Sequence, residues 1–387
     1  MSAGLRNLAA ALAALGVLLA LEFGLEPAIP DASIRQLLML AAVYVMVAVS
    51  LNVINGMAGQ FSIGHAGFVG VGAYTAAVVA SHLHGASEVA SSASWAAFAH
   101  SWLLVPASVA AAALVAGLFG LLVGLPSLRL RGDYLAIVTL GFAEIFRLTI
   151  ASAQVNAQPG MATWIASLGG QNGYAGRGGQ GVPLFAGPFW VFGAALLMVL
   201  CTWRMKFSGW GRALRALRED EIAAAAVGVD PTRYKVVSFV VSAMGAGIAG
   251  GLWSTMRDGL GLVQPDQFNF QFSFDAITMV ILGGSGSVTG AVLGAFFVTF
   301  TVKAIELVQG IDAVKDLQQA YPSLDLNALR MVVYAAVLIA LMVLRPEGLL
   351  GERELGLRRP ARPPRGGGAG KTLAPGQPDA AASEVPA

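Results

Sequence analysis

The chain has 387 residues, of which 56% are hydrophobic and only 12% charged, with a net charge of +2. A soluble domain carries about 25% charged residues, so this balance excludes an ordinary soluble globule. No basic stripe interleaved with aromatics supports nucleic-acid binding, and Cys201, the single cysteine, excludes an intrachain disulfide.

Residues 5–22 follow Arg6 with an apolar run, and LEFGLEP after them offers no small-residue cleavage site. The run reads as an uncleaved first span rather than a signal peptide. Runs at 34–54, 102–125, 183–203, 235–256 and 328–345 are each long enough to cross, because ~20 helical residues span the hydrocarbon core. Segments 61–81, 134–153 and 288–309 qualify with polar punctuation, and 268–283 is short. The expected fold is all-α: a polytopic membrane helix bundle of about ten transmembrane segments.

Lys and Arg set the orientation. Arg129 and Arg131 lie in loop 126–133, seven basic residues lie in 204–235, and seven more follow the last span. These three regions are expected on the cytoplasmic side, with both termini. Loops 82–101 and 154–182 carry only Arg177 and are expected outside.

Polar residues within spans are costly and mark candidate sites. Asn52 and Asn55 close the second span; Gln60, Ser62 and His65 open the third, with Tyr74 further along it. They are candidates to line a polar cavity, although for His65 a hydrogen-bonded packing role weighs more than a substrate or proton role. Glu144 is a further candidate, but Arg147 three residues on shares its helix face, and a salt bridge is the simpler reading. Lys303 and Glu306 repeat that spacing. His82 and His84 lack a third metal ligand. Ser62, Ala66 and Gly70, Gly247 and Gly251, and Gly290 and Gly294 recur at four-residue steps and place their helices in the bundle interior. Gly59, Ser62 and Gly67 also align with Gly286, Thr289 and Gly294 as a faint internal echo.

The segment 204–235, RMKFSGWGRALRALREDEIAAAAVGVDPTRYK, is a charged island between apolar runs. Propensity predicts a helix over 212–227, ended by Gly228. Asp230 and Pro231 then start the next span. Four alanines, Ala223 to Ala226, follow the acidic triplet Glu219–Asp220–Glu221. Alanine anchors poorly in lipid and the triplet is repelled by anionic headgroups, so the helix reads as a docking surface for another protein.

Residues 1–350 form the expected membrane domain, and the Pro-, Gly- and Arg-rich 351–387 a disordered cytoplasmic tail. GGAGKT in this tail is no P-loop, since the position five residues before Gly370 is Arg365 and no strand precedes it. The chain is therefore expected to hold no nucleotide of its own.

Five stretches carry a resemblance. They are LNVINGMAGQFSIGHAGFVGVGAYTAA (51–77), LRLRGDYLAIVTLGFAEIFRL (128–148), GRALRALREDEIAAAAVGVDPTRYKVVSFVVSAMGAGIAGGL (211–252), DAITMVILGGSGSVTGAVLGA (275–295) and LRPEGLLG (344–351). In this order they resemble the LivM-type permeases of branched-chain amino acid ABC importers, and 204–235 resembles the "EAA" coupling loop of such permeases. The chain departs from the family at Ala225, where an acidic residue is common. The resemblance implies a transport subunit rather than an enzyme, in the bacterial cytoplasmic (inner) membrane. It implies a second, LivH-type permease, two cytosolic ATPase subunits that bind ATP and Mg, and a periplasmic substrate-binding protein as partners. The 212–228 helix would contact an ATPase through Arg212, Arg215, Arg218, Glu219, Asp220, Glu221, Ala224 and Gly228. Urea, amides or aromatic acids are alternative cargoes of related permeases. An ion-driven secondary transporter is the alternative mechanism, and it fits Glu144 beside Arg147 poorly.

Overall fold

A computed structural model of the chain describes residues 3–84, 95–127, 134–153, 167–309, 348–351 and 353–355, with scattered positions between 332 and 344. Met1–Glu354 form one compact unit and Leu355–Ala387 another, of which only Leu355 is described.

The described residues are helical, with isolated bridges in place of strands. Helices α1 (Ala3–Ala28), α2 (Ala32–Asn52), α3 (His65–His84), α4 (Trp95–Ser127), α5 (Tyr134–Ala151) and α6 (Pro188–Phe207) precede two short ones. These are α7 (Gly209–Glu219) and α8 (Glu221–Ala226). Helices α9 (Pro231–Thr255), α10 (Phe270–Gly283) and α11 (Val288–Gln309) complete the bundle. Among the described residues six helical stretches are long and apolar enough to cross a membrane: Ala32–Met57, His65–Leu83, Ser101–Ser127, Tyr134–Ala151, Pro188–Phe207 and Pro231–Thr255. Helix α10 has 14 residues, about 21 Å at 1.5 Å per residue, and α11 has a shorter apolar stretch, Val288–Ala304. Most of the run expected at 328–345 lies outside the described residues, as do the side chain of Glu306 and the GGAGKT stretch.

Helix α9 is the axis of the packing and lies along α3 and α4. The contact is close, much of it backbone to backbone. Gly72 of α3 leaves room for the carbonyl of Gly247, Gly250 for that of Val69, and Gly120 of α4 for Ala243. Helix α5 runs beside α3 through the same device: Gly64, Gly67 and Gly70 face Thr139, Ala143 and Phe146. The small-residue helices therefore do sit in the interior, as their spacing predicts, because helices in lipid associate by close approach rather than by hydrophobic drive.

The end of the bundle away from α7 is fastened by ion pairs. Glu22 of α1 accepts from Arg257 at 2.7 Å and from the backbone N–H of Phe189 at 2.9 Å. Gly187, the N-cap residue of α6, has no side chain to offer, so the Glu22 carboxylate satisfies that helix start instead. Arg35 grips Asp258 through two bonds of 3.0 and 3.1 Å, and Asp258 holds a left-handed φ of 62°. Loop 167–187 pairs with loop 256–263, Tyr174 with Val263 and Ala186 with Met256.

Candidate functional site

The charged island folds as two helices, which corrects the single helix expected over 212–228. Asp220 interrupts it with extended backbone, φ −155° and ψ 114°. Its carboxylate accepts from the N–H groups of Ile222 and Ala223, both at 2.9 Å. An aspartate that can cap a new helix competes with continuing the old one. The stop and restart downstream are as the sequence predicts. Gly228 takes φ 89° and donates to Ala225 O at 3.0 Å, while Asp230 caps α9 by accepting from Arg233 N at 3.2 Å. Lys235 reaches back to Glu221 at 2.6 Å, and Trp210 lies against Tyr234 with ring centroids 4.3 Å apart.

The result is an elbow that presents α8 to solvent. Ile222 is 84% exposed and Val227 80%, with Ala223, Ala225 and Ala226 exposed between them. Of the eight positions singled out in the sequence, Arg212, Arg215, Glu219, Asp220, Glu221 and Gly228 are exposed. The other two are less exposed. Ala224 is buried, and Arg218 turns inward to donate to the Gly56 carbonyl at 2.8 Å. Ile222 and Val227 carry the apolar tip and were not singled out; the signal for them is two branched residues bracketing four alanines. Asp220→Ala is expected to destabilise α8 by about 1 kcal/mol, the usual worth of an N-cap. Amide exchange over 221–226 would speed up with α9 unchanged, and equal protection in both forms would contradict the cap.

Arg218 bears on both loops of the internal echo. The place of a Gly59 side chain is filled by the Arg218 stem, and the Arg218 guanidinium lies beside Gly286. Gly59 and Gly286 both have left-handed backbone, φ 68° and 86°. The two loops also touch each other through Asn52, which accepts from Gly286 N at 2.9 Å and donates to Ser287 O at 3.0 Å.

The seven candidates for a polar cavity do not gather in one place. Asn52, Asn55, Gln60, Ser62 and His65 cluster at the α7 end, where most of their groups serve the fold. Asn55 clasps the backbone of Ser62 from both sides, at 3.1 and 3.2 Å. His65 Nε2 lies 2.9 Å from Ser50 Oγ, the packing role. Gln60 Oε1 is buried without a partner among the described residues. Tyr74 is at the other end, donating to Val263 O at 3.1 Å. Glu144 pairs with Arg147 at 2.9 Å as expected, and Arg147 also meets Asp266 at 3.0 Å. His82 bonds its own helix at Val78 O, and no group of His, Cys, Asp and Glu among the described residues could hold a metal.

An apolar space lies elsewhere among the described residues. A cleft of about 700 Å³ opens between α2, α4, α6 and α9, walled by apolar side chains such as Trp102, Leu197 and Met244, with Gly193 and Gly245 along it. Its surface suits a branched aliphatic group and has no charge to hold an ion.

One strong polar cluster lies in a region expected to be tail. Gly351 lies against Gly284 at the end of α10, and Arg353 and Glu354 pack against the start of α11 instead. The Glu354 carboxylate accepts from Val288 N at 2.9 Å, Thr289 N at 3.0 Å and Thr289 Oγ1 at 2.5 Å, and pairs with Lys206. Burial pushes this carboxyl up, but the Lys206 ammonium and the Thr289 and Val288 donors outweigh it and hold it below the usual range. A depressed folded-state pKa gives stability that is complete above the ordinary carboxylate value of about 4.3 and lost as pH falls through the lower folded value. The unfolding midpoint gap between wild type and Glu354→Gln is therefore expected to stay constant through neutral pH and close only under acid. A gap that closes above neutral pH would contradict this sign.

A helical bundle with several membrane-capable helices, an apolar cleft and a two-helix elbow at one end is the architecture of a multi-pass membrane protein. The chain belongs to the family described as "Branched-chain amino acid transport system / permease component", which matches residues 33–342. It is 32% identical over 329 residues to the high-affinity branched-chain amino acid transport system permease protein LivM of Escherichia coli (strain K12), covering 80% of this chain and 68% of that protein. It is 33% identical over 326 residues to LivM of Salmonella typhimurium, with the same coverage. It is also 26% identical over 326 residues to LivH of Salmonella typhimurium, covering 82% of this chain and 94% of that protein. No solved structure matches it.

Proposed function

We propose that this chain is the membrane-spanning, LivM-type subunit of an ATP-driven importer for branched-chain and other hydrophobic amino acids in the bacterial inner membrane. It forms the translocation pathway with a second, LivH-type permease. Two cytosolic ATPases, which bind ATP and Mg, dock on the α7–α8 elbow, and a periplasmic binding protein delivers cargo to the opposite end. The chain itself is not an enzyme. The observation that carries this reading is the elbow. It is a preformed apolar tip at one end of a bundle, beside exposed charges, in a permease family. The similarity to LivH as well as LivM supports a pseudo-symmetric pair, since related subunits build two-fold-like interfaces. The apolar cleft is the surface on this chain that suits an aliphatic side chain.

The test is reconstitution of this chain with the permease, ATPases and binding protein encoded beside it. ATP-dependent uptake of leucine, isoleucine or valine is expected, with no uptake when the ATPases are omitted. Uptake driven by an ion gradient without ATP would overturn the reading in favour of a secondary transporter. ATP-driven uptake confined to urea, amides or aromatic acids would overturn only the cargo.

A further inference from the structure

Both ends of α7 lead to one turn. At its start, Ser208 caps the helix, and Gly211, which has no side chain, rests against the carbonyls of Met205 and Lys206. Lys206 is thus pressed on by the first turn of α7, and its ammonium is held by Glu354. Glu354 in turn holds the first backbone N–H groups of α11, those of Val288 and Thr289. Leu349 and Leu350 brace the same segment by donating to Leu282 O at 2.7 Å and Gly283 O at 3.2 Å at the end of α10. At the far end of α7, Arg218 bonds Gly56, and Gly56 lies against Gly286. The α10–α11 turn, Gly284 to Ser287, therefore receives both connections, and it contains two left-handed glycines, with φ 113° and 86°.

The Lys206 link differs in kind from the Arg218 link. The side chains of Lys206 and Glu354 are only 7% and 3% exposed. A buried charge separated from its partner is strongly disfavoured, so the two move together rather than part. Arg218 instead grips a neutral carbonyl from a half-buried position, with exposed Glu219 3.5 Å from its guanidinium.

We propose that Glu354 is a positioning residue of the transport cycle, tying the base of α7 to the α10–α11 turn so that displacement of the docking elbow moves that turn. This rests on the coupling reading given under Proposed function. The segment that follows the last apolar run is then a working part of the permease.

The experiment uses the whole complex in vesicles, with leucine uptake and ATP hydrolysis measured on the same preparation. The variants are Glu354→Gln, Lys206→Met and the two combined. The combined form removes both charges and so leaves no lone buried ion if a single variant fails to assemble. Each assembled variant is expected to take up about tenfold less leucine per ATP hydrolysed, within the range by which coupling residues act, while the ATPases still co-purify. A residue needed only for folding lowers the amount of complex but not uptake per ATP. Wild-type uptake per ATP in any assembled variant overturns the proposal. Failure of all three to assemble overturns it too, because the pair then serves folding alone. If the wild-type complex shows no ATP-dependent uptake, the coupling reading itself fails, which is a separate result.

Discussion

Gly247→Leu is expected to leave no folded bundle. Gly247 sits where α3, α4 and α9 meet. A Cβ there would lie 2.5 Å from the Ala116 Cβ and 2.6 Å from the Ala112 carbonyl oxygen, and on the other side Gly72 already yields its space to the Gly247 backbone. Leucine would drive four carbon atoms into a wall made partly of main chain. Overpacking costs about 1–3 kcal/mol where side chains can give way. Here the obstacle includes the backbone of α4 at Ala112, so the cost is set against the whole stability of about 5–15 kcal/mol. The expected readout is loss of the monodisperse peak on size exclusion in detergent. Gly141→Leu is the control, since nothing lies within 4 Å of its Cβ position, and it should elute and melt as wild type does. Normal behaviour of Gly247→Leu would mean that these three helices do not cross in contact.

The combined variant Ile222→Asp and Val227→Asp should separate folding from function. Both side chains are almost wholly exposed, so the bundle has no reason to notice the change and its unfolding midpoint should hold. A partner seated on α8 would instead have to desolvate two carboxylates. Central interface residues are each worth about 2 kcal/mol or more, roughly thirtyfold in affinity apiece. ATPase co-purification and ATP-dependent uptake should therefore be lost together. Full recovery of ATPases with this variant would show that α8 is not where they dock.

How much of this was legible in the sequence depended on whether the cause was local. The positions of Gly228 and Asp230 follow from chemistry within a few residues, and the structure places the end of α8 and the start of α9 there. Interior helices were legible because a small residue every fourth position has one dominant use in a membrane. The break at Asp220 was missed because Ala, Leu, Arg and Glu on both sides outweigh one aspartate in any propensity sum. Glu354 was missed for a different reason: its partners Lys206 and Thr289 are far away in sequence, and its neighbours are the Pro, Gly and Arg of a tail. His65 was legible as a packing histidine and bonds Ser50, whereas Asn52 was legible only as unusual, because its partners are backbone groups of the distant 286–287 turn. The inward turn of Arg218 belongs to the same class, since three arginines at three-residue steps look alike, yet Arg212 and Arg215 bond nearby carbonyls and Arg218 that of distant Gly56.

Helix α8 has only six residues, too few to persist alone, since isolated helices shorter than about 12 residues are marginal in water. Asp220 fixes its first turn and Gly228 its last, while Lys235 anchors it from the side through Glu221. The shape offered to the proposed ATPase partner is thus present beforehand. Association then avoids the ordering of a loop, one of the larger entropic charges on binding. Affinity for a partner at the elbow would then depend on the residues that hold α8 in shape as well as on its apolar tip.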